Sequence, residues 1–532
     1  IDISFEAGPD SAGHTAFVMA EFLLPAPSNY SPRAVQEAMN FIEAYRDIPL
    51  DGVMLDEYKN WAMIPPWKLM FRFGDVRHRP YSIHLAEQLE RRNGEPAGTT
   101  LLNMRFAPRG RPEVRMKAIN DYMDLMRQGP MNIERAVYDR SAAVFGDDFF
   151  MSAHNTFHNN IEEDEIWNTG LTWWTVPRGY GHTDEKTPLP VQMGVAMAYP
   201  ANAMYNMYYD WNGGRFQEKV FTDLCYGVRT HYHAFNDRRW GKALEAPEAY
   251  ELLNPVENTA RLLNRFDPAL PDIRLLVIFG QEAVQNWYPD ESARGRYDVN
   301  DSLEILEKTE KLWDAGYLNA LVSSDLVNNG SLTLDAQNRP VLNGHTFDAV
   351  VYLYPQYSKQ PAMDFLERYA ANGGKLLLEG DATHDFEGRD LSGWYARVRS
   401  AATVNGFNKN KIDFLGIQPN REEGTCHNED GSVTYTDLRS LRSGEETQFE
   451  LEVDGDTWSG TFIGLAAIEA DGSIGLVRYA AAGGRELSRN GKRLFELEQA
   501  TDLLIERNQD GLRVELLDPT GSNRVLVNRL DE

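Results

Sequence analysis

The feature that most constrains this chain is a set of short apolar runs, within Asp272–Gly280, Phe347–Pro355 and Gly373–Gly380, each bounded by Gly, Pro or charged residues. Runs such as Leu275-Leu276-Val277-Ile278-Phe279 and Ala349-Val350-Val351-Tyr352-Leu353 have no alternating polar positions, as expected of strands buried on both faces of a parallel sheet. Helical patterns lie between them, from about Asn300 to Ala315 and over Pro361–Ala371, and the first is followed by the apolar run Leu318–Val327. The Gly373-Gly374 pair lets the chain turn sharply from helix to strand. A small doubly wound α/β domain over residues 251–419 is predicted, beginning after the Pro-bearing segment Ala246–Pro255. No phosphate-binding glycine fingerprint occurs in its loops, so a nucleotide role is not expected.

Residues 1–250 repeat strand and helix on a larger scale. Strands are predicted at Thr15–Phe22, Gly52–Asp56, Phe149–Ala153, Leu171–Thr175 and Met204–Tyr209. A helix over Pro32–Arg46 precedes the second of these. Between Ile83 and Val144 lies a long helical excursion, with separate helices expected at Ile83–Arg92, Val114–Met126 and Asn132–Val144. This alternation favours a (β/α)8-type barrel with its reactive groups on strand-end loops. From about residue 420 the pattern changes to short alternating strands joined by Asp-Gly and Gly-Gly turns, which predicts an antiparallel β sandwich over 420–532. The fold class is therefore α/β, with a C-terminal antiparallel β domain.

The formal charge of −27, from 53 basic and 80 acidic residues, disfavours nucleic acid and anionic membranes as partners. No apolar run is long enough to span a bilayer. The two cysteines, Cys225 and Cys426, lack the spacing of a metal site or a disulfide framework and leave the redox compartment open. The chain begins at Ile1, so a signal has been removed or the sequence starts within a longer product, and the periplasm or secretion is favoured over the cytoplasm.

Chemistry-bearing residues concentrate at predicted strand ends. Gly52-Val53-Met54-Leu55-Asp56-Glu57-Tyr58 is an apolar strand that delivers two carboxylates. Phe149–Ala153 runs into His154, Asn155 and His158. Trp173-Trp174 leads through Arg178, Tyr180 and His182 to Asp184-Glu185. Between Phe145 and Trp240 the chain is dense in aromatics, Trp211 among them, with interleaved His and Asn; rings stack on sugar C–H faces while planar polar groups meet hydroxyls. Two carboxylates, one protonated and one ionised, are the minimal equipment for glycosidic cleavage. Glu57 is the expected proton donor and Glu185 the expected partner, with Asp184 next and Glu163 or Glu165 behind. Asp56, His154, Asn155, His158, Trp173, Trp174, Arg178, Tyr180, His182 and Trp211 are the expected sugar-pocket residues. No metal or other cofactor is called for, although His154 and His158 with nearby acids, and His231 with His233, keep a metal-dependent hydrolase as an alternative.

In the middle region, Trp313-Asp314-Ala315-Gly316, Asp348–Pro355 and Phe365–Leu378 resemble the corresponding domain of glycoside hydrolase family 42 β-galactosidases, and Leu55-Asp56-Glu57-Tyr58 resembles that family's fourth-strand Asn-Glu-Tyr motif with Asp in place of Asn. The resemblance implies a (β/α)8 barrel, a flavodoxin-like α/β domain that assembles homo-oligomers (a trimer or dimer), and a small C-terminal β domain. It also implies the acid/base role for Glu57. The chain departs from the family in placing Glu57 ahead of three complete strand–helix units, and in having no apolar strand that ends in a lone Glu between Trp174 and Met204. The expected function is hydrolysis of a β-linked sugar in a galactose-containing or charged oligosaccharide or polysaccharide. The alternatives are a lyase using Tyr180 or His182 with Arg178, and a carbohydrate-binding protein without activity.

Overall fold

The computed structural model describes residues 30–56, 81–146, 149–154, 181–184, 187–200, 204–208, 213–233, 247–285, 303–401, 403–404, 415–517 and 523–530, with residues 8, 9, 28 and 412. Two parallel sheets open the chain. Strands β1 (Gly52–Asp56) and β2 (Phe150–His154) pair directly, with Asp56 opposite His154. Strands β3 (Gly181–Asp184), β4 (Met204–Tyr208) and β5 (Val228–His233) form the second sheet in that order, and β2 runs next to β3. Helix α1 (Pro32–Glu43) precedes β1, and α2 (Ile83–Asn93), α3 (Ala97–Arg105) and α4 (Pro112–Phe145) separate β1 from β2. Helices α5 (Leu189–Ala198) and α6 (Gly213–Cys225) follow β3 and β4, and α7 (Pro247–Phe266) follows β5. Helix–strand alternation with parallel pairing is the pattern of a β/α barrel wall. The predicted strands at Thr15–Phe22 and Leu171–Thr175 lie outside the described residues.

Two helices override their prolines. The two helices expected over 114–144 are one 34-residue helix, α4, continuous through Gly129-Pro130. Pro130 has no N–H to give a helical hydrogen bond, at a cost of about 3 kcal/mol. Burial on both sides of the break offsets it: Ile119, Tyr122 and Met123 enter the main core, while Ile133 and Val137 pack with Ala38 and Ile42 of α1 and Met151 of β2. The Pro-bearing segment expected to separate two units is likewise helical, since α7 carries Pro255 inside it.

The middle sheet is all parallel. Its strands β6 (Leu275–Phe279), β7 (Asn319–Ser323), β11 (Ala349–Leu353), β12 (Leu376–Glu379) and β13 (Thr403–Val404) lie in the order β13-β12-β11-β6-β7. An antiparallel excursion, β8 (Leu332–Leu334), β9 (Pro340–Leu342) and β10 (His345–Thr346), interrupts the crossing from β7 to β11. Helices α8 (Gln281–Gln285), α9 (Ile305–Asp314), α10 (Asp325–Asn328), α11 (Gln360–Ala371) and α12 (Ser392–Ala401) complete this unit. The apolar run expected over Leu318–Val327 is a strand only as far as Ser323, whose Oγ accepts the Asp325 N–H at 3.1 Å and starts α10.

Strand order reverses between β6 and β11, where sheets of this kind leave a ligand crevice outside the strand ends. Near these strand ends the described residues make polar contacts of their own. The Gly280 N–H donates to Leu353 O at 2.8 Å. Helix α4 contributes the buried Asp124, which accepts from Lys359 Nζ at 2.8 Å and from Gln128 Nε2 at 2.7 Å and pairs with Arg92 at 3.0 Å. The fully buried Glu282 accepts from Ser324 Oγ and Asn328 Nδ2, both at 2.9 Å, and lies 3.9 Å from Lys359 Nζ.

Helix α5 ties the barrel wall to the middle sheet. Every residue from Pro190 to Met197 is buried, so the helix is covered on all sides, by β3 and β4 on one and β7 on another. At Gly194 the backbones approach so closely that an added Cβ would lie 1.9 Å from Leu321 O. Met193, Val195 and Met204 consequently share one core with Leu276, Val277, Val350 and Leu377.

The C-terminal strands form a single curled antiparallel sheet. They are β14 (Thr425–His427), β15 (Val433–Thr436), β16 (Thr447–Val453), β17 (Asp456–Phe462), β18 (Leu465–Asp471), β19 (Gly475–Arg489), β20 (Lys492–Asn508), β21 (Gly511–Leu516) and β22 (Val525–Asn528). The long strands β19 and β20 join two halves: β18 and β21 pair with their segments nearer the β18–β19 turn and the β20–β21 turn, and β17 and β22 pair with the segments around the hairpin between them. In the central strands β18, β19 and β20 both faces are buried, with period-2 alternation. Ile468, Tyr479, Ala481, Leu503 and Ile505 face the sheet's own core, whereas Leu465, Ala467, Ala480 and Leu504 pack with Val220 and Phe221 of α6 and Val256, Leu263 and Phe266 of α7.

Gly194→Ala should destabilise the protein by about 3 kcal/mol or more, because the clash is with backbone and must part α5 from β7; thermal and denaturant melts check this. Asp124→Ala should cost about 1–3 kcal/mol, because Arg92 and Lys359 lose their nearest carboxylate and keep Asp121 and Glu282, each at 3.9 Å, whereas Arg33→Ala, at an exposed helical pair with Glu37, should leave the melt within about 0.5 kcal/mol.

Candidate active site

Parallel pairing fixes which chain positions share one end of each sheet. Asp56 and His154 are the last residues of β1 and β2 and stand opposite one another. In the second sheet, Asp184 closes β3 opposite Met207, His182 stands opposite Tyr205, and Tyr208 at the end of β4 stands opposite His233 at the end of β5. A carboxyl-bearing residue thus ends one strand of each sheet, and the next residue in sequence is Glu57 in one case and Glu185 in the other. The structure describes the backbones of Asp56, His154, His182 and Asp184. Glu57, Asn155, His158, Trp173, Trp174, Arg178, Tyr180, Glu185 and Trp211 lie outside the described residues.

The placement of β3 differs from expectation in a way that bears on the acids. The polar stretch Gly181-His182-Thr183-Asp184 was expected as loop beyond a Trp-Trp strand, yet it is itself a strand. Its lack of apolar alternation hides it from sequence. What holds it is a buried polar chain: Thr183 Oγ1 donates to Asn206 Oδ1 at 3.2 Å, Asn206 Nδ2 to Asp223 Oδ2 at 2.9 Å, and Tyr208 Oη to the same oxygen at 2.8 Å. Asp223, on α6, is fully buried and is also paired with Lys219 one turn earlier. Each partner satisfies another, as buried polar groups require. The chain of bonds pins β3 and β4 to α6 within two residues of the strand ends that carry Asp184 and Tyr208.

Asp223 escaped the sequence reading, although a signal was present. It sits on the apolar face of α6 that Phe216, Val220 and Leu224 define, where a carboxylate is costly unless paired.

Among the described residues no group of three or more His, Cys, Asp or Glu could hold a metal ion, and no helix is long and apolar enough to cross a membrane.

The sequence matches no protein-family model and none of the curated proteins. Its structural neighbours are glycoside hydrolases. An exo-carrageenase from Bacteroides ovatus is 12% identical with a TM-score of 0.49, over 92% of this chain and 70% of that one. A β-galactosidase from the psychrophilic Marinomonas ef1 is 10% identical with a TM-score of 0.48, over 80% of each chain. A rhamnosidase from Novosphingobium sp. PP1Y is 13% identical with a TM-score of 0.43, over 84% of this chain and 42% of that one.

Proposed function

We propose that this protein is a glycoside hydrolase that cleaves a β-linked sugar with Glu57 and Glu185 as its two carboxylates. The observation that carries this reading is the matched termination of β1 and β3: each parallel strand ends in Asp, at positions 56 and 184, and a Glu follows each. Residues just beyond the C-terminal ends of parallel strands meet in the cleft of a β/α barrel. In this scheme Glu57 protonates the departing glycosidic oxygen, and Glu185 attacks the anomeric carbon or activates a water. Asp56 and Asp184 precede the acids, and His154 stands opposite Asp56 in the paired sheet. Trp173, Trp174, Arg178 and His182, with Asn155, His158, Tyr180 and Trp211, are assigned to the sugar pocket, where aromatic faces and planar hydrogen-bonding groups suit a galactose-containing or charged oligosaccharide.

The two acids are separable by leaving group. Glu57→Gln should lower kcat about 10²–10⁴-fold on natural oligosaccharides, and much less on an aryl glycoside whose phenolate needs no protonation. Glu185→Gln should lose turnover on both. Steady-state kinetics, with circular dichroism to confirm folding, check this; unchanged turnover in Glu57→Gln overturns the assignment, and an unsaturated product absorbing in the ultraviolet would show a lyase instead.

A further inference from the structure

The chain's two cysteines come from distant parts of the sequence, one on a helix and one on a strand, yet the fold brings them together. Cys225 is the last residue of α6, and Cys426 is the middle residue of β14. Helix α6 packs on β15, and the Cys225 thiol points to Thr434 O at 3.9 Å. Thr434 is the cross-strand partner of Cys426. The two side chains are close enough to interact directly, and that contact, followed by burial, pushes the Cys426 thiol well above its ordinary value. Both are buried, with 4% and 1% of their surface exposed, and both are free thiols here. Beside them lies Arg229, whose guanidinium donates to the carbonyls of Leu224, Val228 and Pro268, each at 3.1 Å, and whose charge acts on both sulfurs.

We propose that Cys225 and Cys426 form a disulfide that fastens the barrel helix α6 to the C-terminal sheet when the protein folds in an oxidising compartment. The oxidant is a low-molecular-weight disulfide. One cysteine thiolate attacks it, forming a mixed disulfide and releasing one small thiolate, which takes up a proton. The second cysteine gives up its proton and attacks the protein sulfur of that mixed disulfide, releasing the second small thiol. Two protein thiols are oxidised, one small disulfide is reduced to two thiols, and one S–S bond is gained in the protein. Because both sulfurs are shielded once α6 has docked, exchange belongs to the docking step, and the finished bond is then protected from reductants. A cross-link between such distant residues closes a long loop, the case in which constraining the unfolded chain stabilises most.

The test refolds the full chain from reduced, denatured protein in a reduced/oxidised glutathione buffer, removes the buffer, and counts thiols under denaturing conditions. The expected result is no free thiol, an intact mass two hydrogens lighter than the reduced chain, and a peptide pair joining Cys225 to Cys426 that a reductant separates. The melting temperature should fall when the oxidised protein is reduced, and this shift should vanish in Cys225→Ser. Two free thiols after this treatment, glutathione adducts, or sulfurs joined between chains would overturn the proposal. The thiol count uses the unaltered protein, so it decides the matter even if the variant folds poorly, and it is independent of whether the protein cleaves a glycoside.

Discussion

The closest constraint in the structure is the contact between Gly194 and the Leu321 carbonyl, where helix α5 meets β7 with no room for a side chain. Because α5 is buried on all sides, the barrel wall and the middle sheet are not two bodies with a joint between them. They share one apolar core, running from Leu89 through Met193 and Val195 to Leu276 and Leu377. Close packing transmits position, since neither side can move without opening space that the other fills. The strand that precedes α5 is β3 and the one that follows it is β4, so the same contact fixes the two strands that end in Asp184 and Tyr208.

Two other contacts hold the same wall. The polar cluster around Asp124, Lys359 and Glu282 fastens α4 across the strand ends of the middle sheet. On the other side, α6 and α7 lie on the C-terminal sheet, with Phe221 and Phe266 against Leu465, Ala467 and Leu504. The middle and C-terminal units therefore both pack against the elements that carry β3 and β4. Such rigidity suits the proposed hydrolysis, in which acid and partner have to be held at fixed separation on either side of one bond.

Much of this was legible in the sequence, and the reasons differ from element to element. Strands β6 and β11 are apolar throughout and β12 is apolar up to its last residue, Glu379, so all three could be read directly, and β1 announced itself by a short apolar run ending in acids. The helical continuity of Pro112–Phe145 was hidden because Gly129-Pro130 is a strong local break, overridden only by packing on both halves. The polar strand β3 was hidden because Thr183 is held by Asn206 and Asp223, partners that no local pattern reveals. The meeting of Cys225 with Cys426 was invisible for the same reason: it exists only after α6 has docked on the C-terminal sheet. At the candidate site, the acids were read from the sequence, and strand pairing added that Asp56 stands opposite His154 and Asp184 opposite Met207, in two separate sheets.

Whether Glu57 and Glu185 work as the proposed pair is read from the separation of their carboxyl groups in a crystal structure with a sugar bound. Both acids should flank one glycosidic bond, at about 5–5.5 Å for a retaining enzyme or about 6.5–9.5 Å for an inverting one. A sugar seated elsewhere, or carboxyl groups too far apart to reach the same bond, would contradict the pairing.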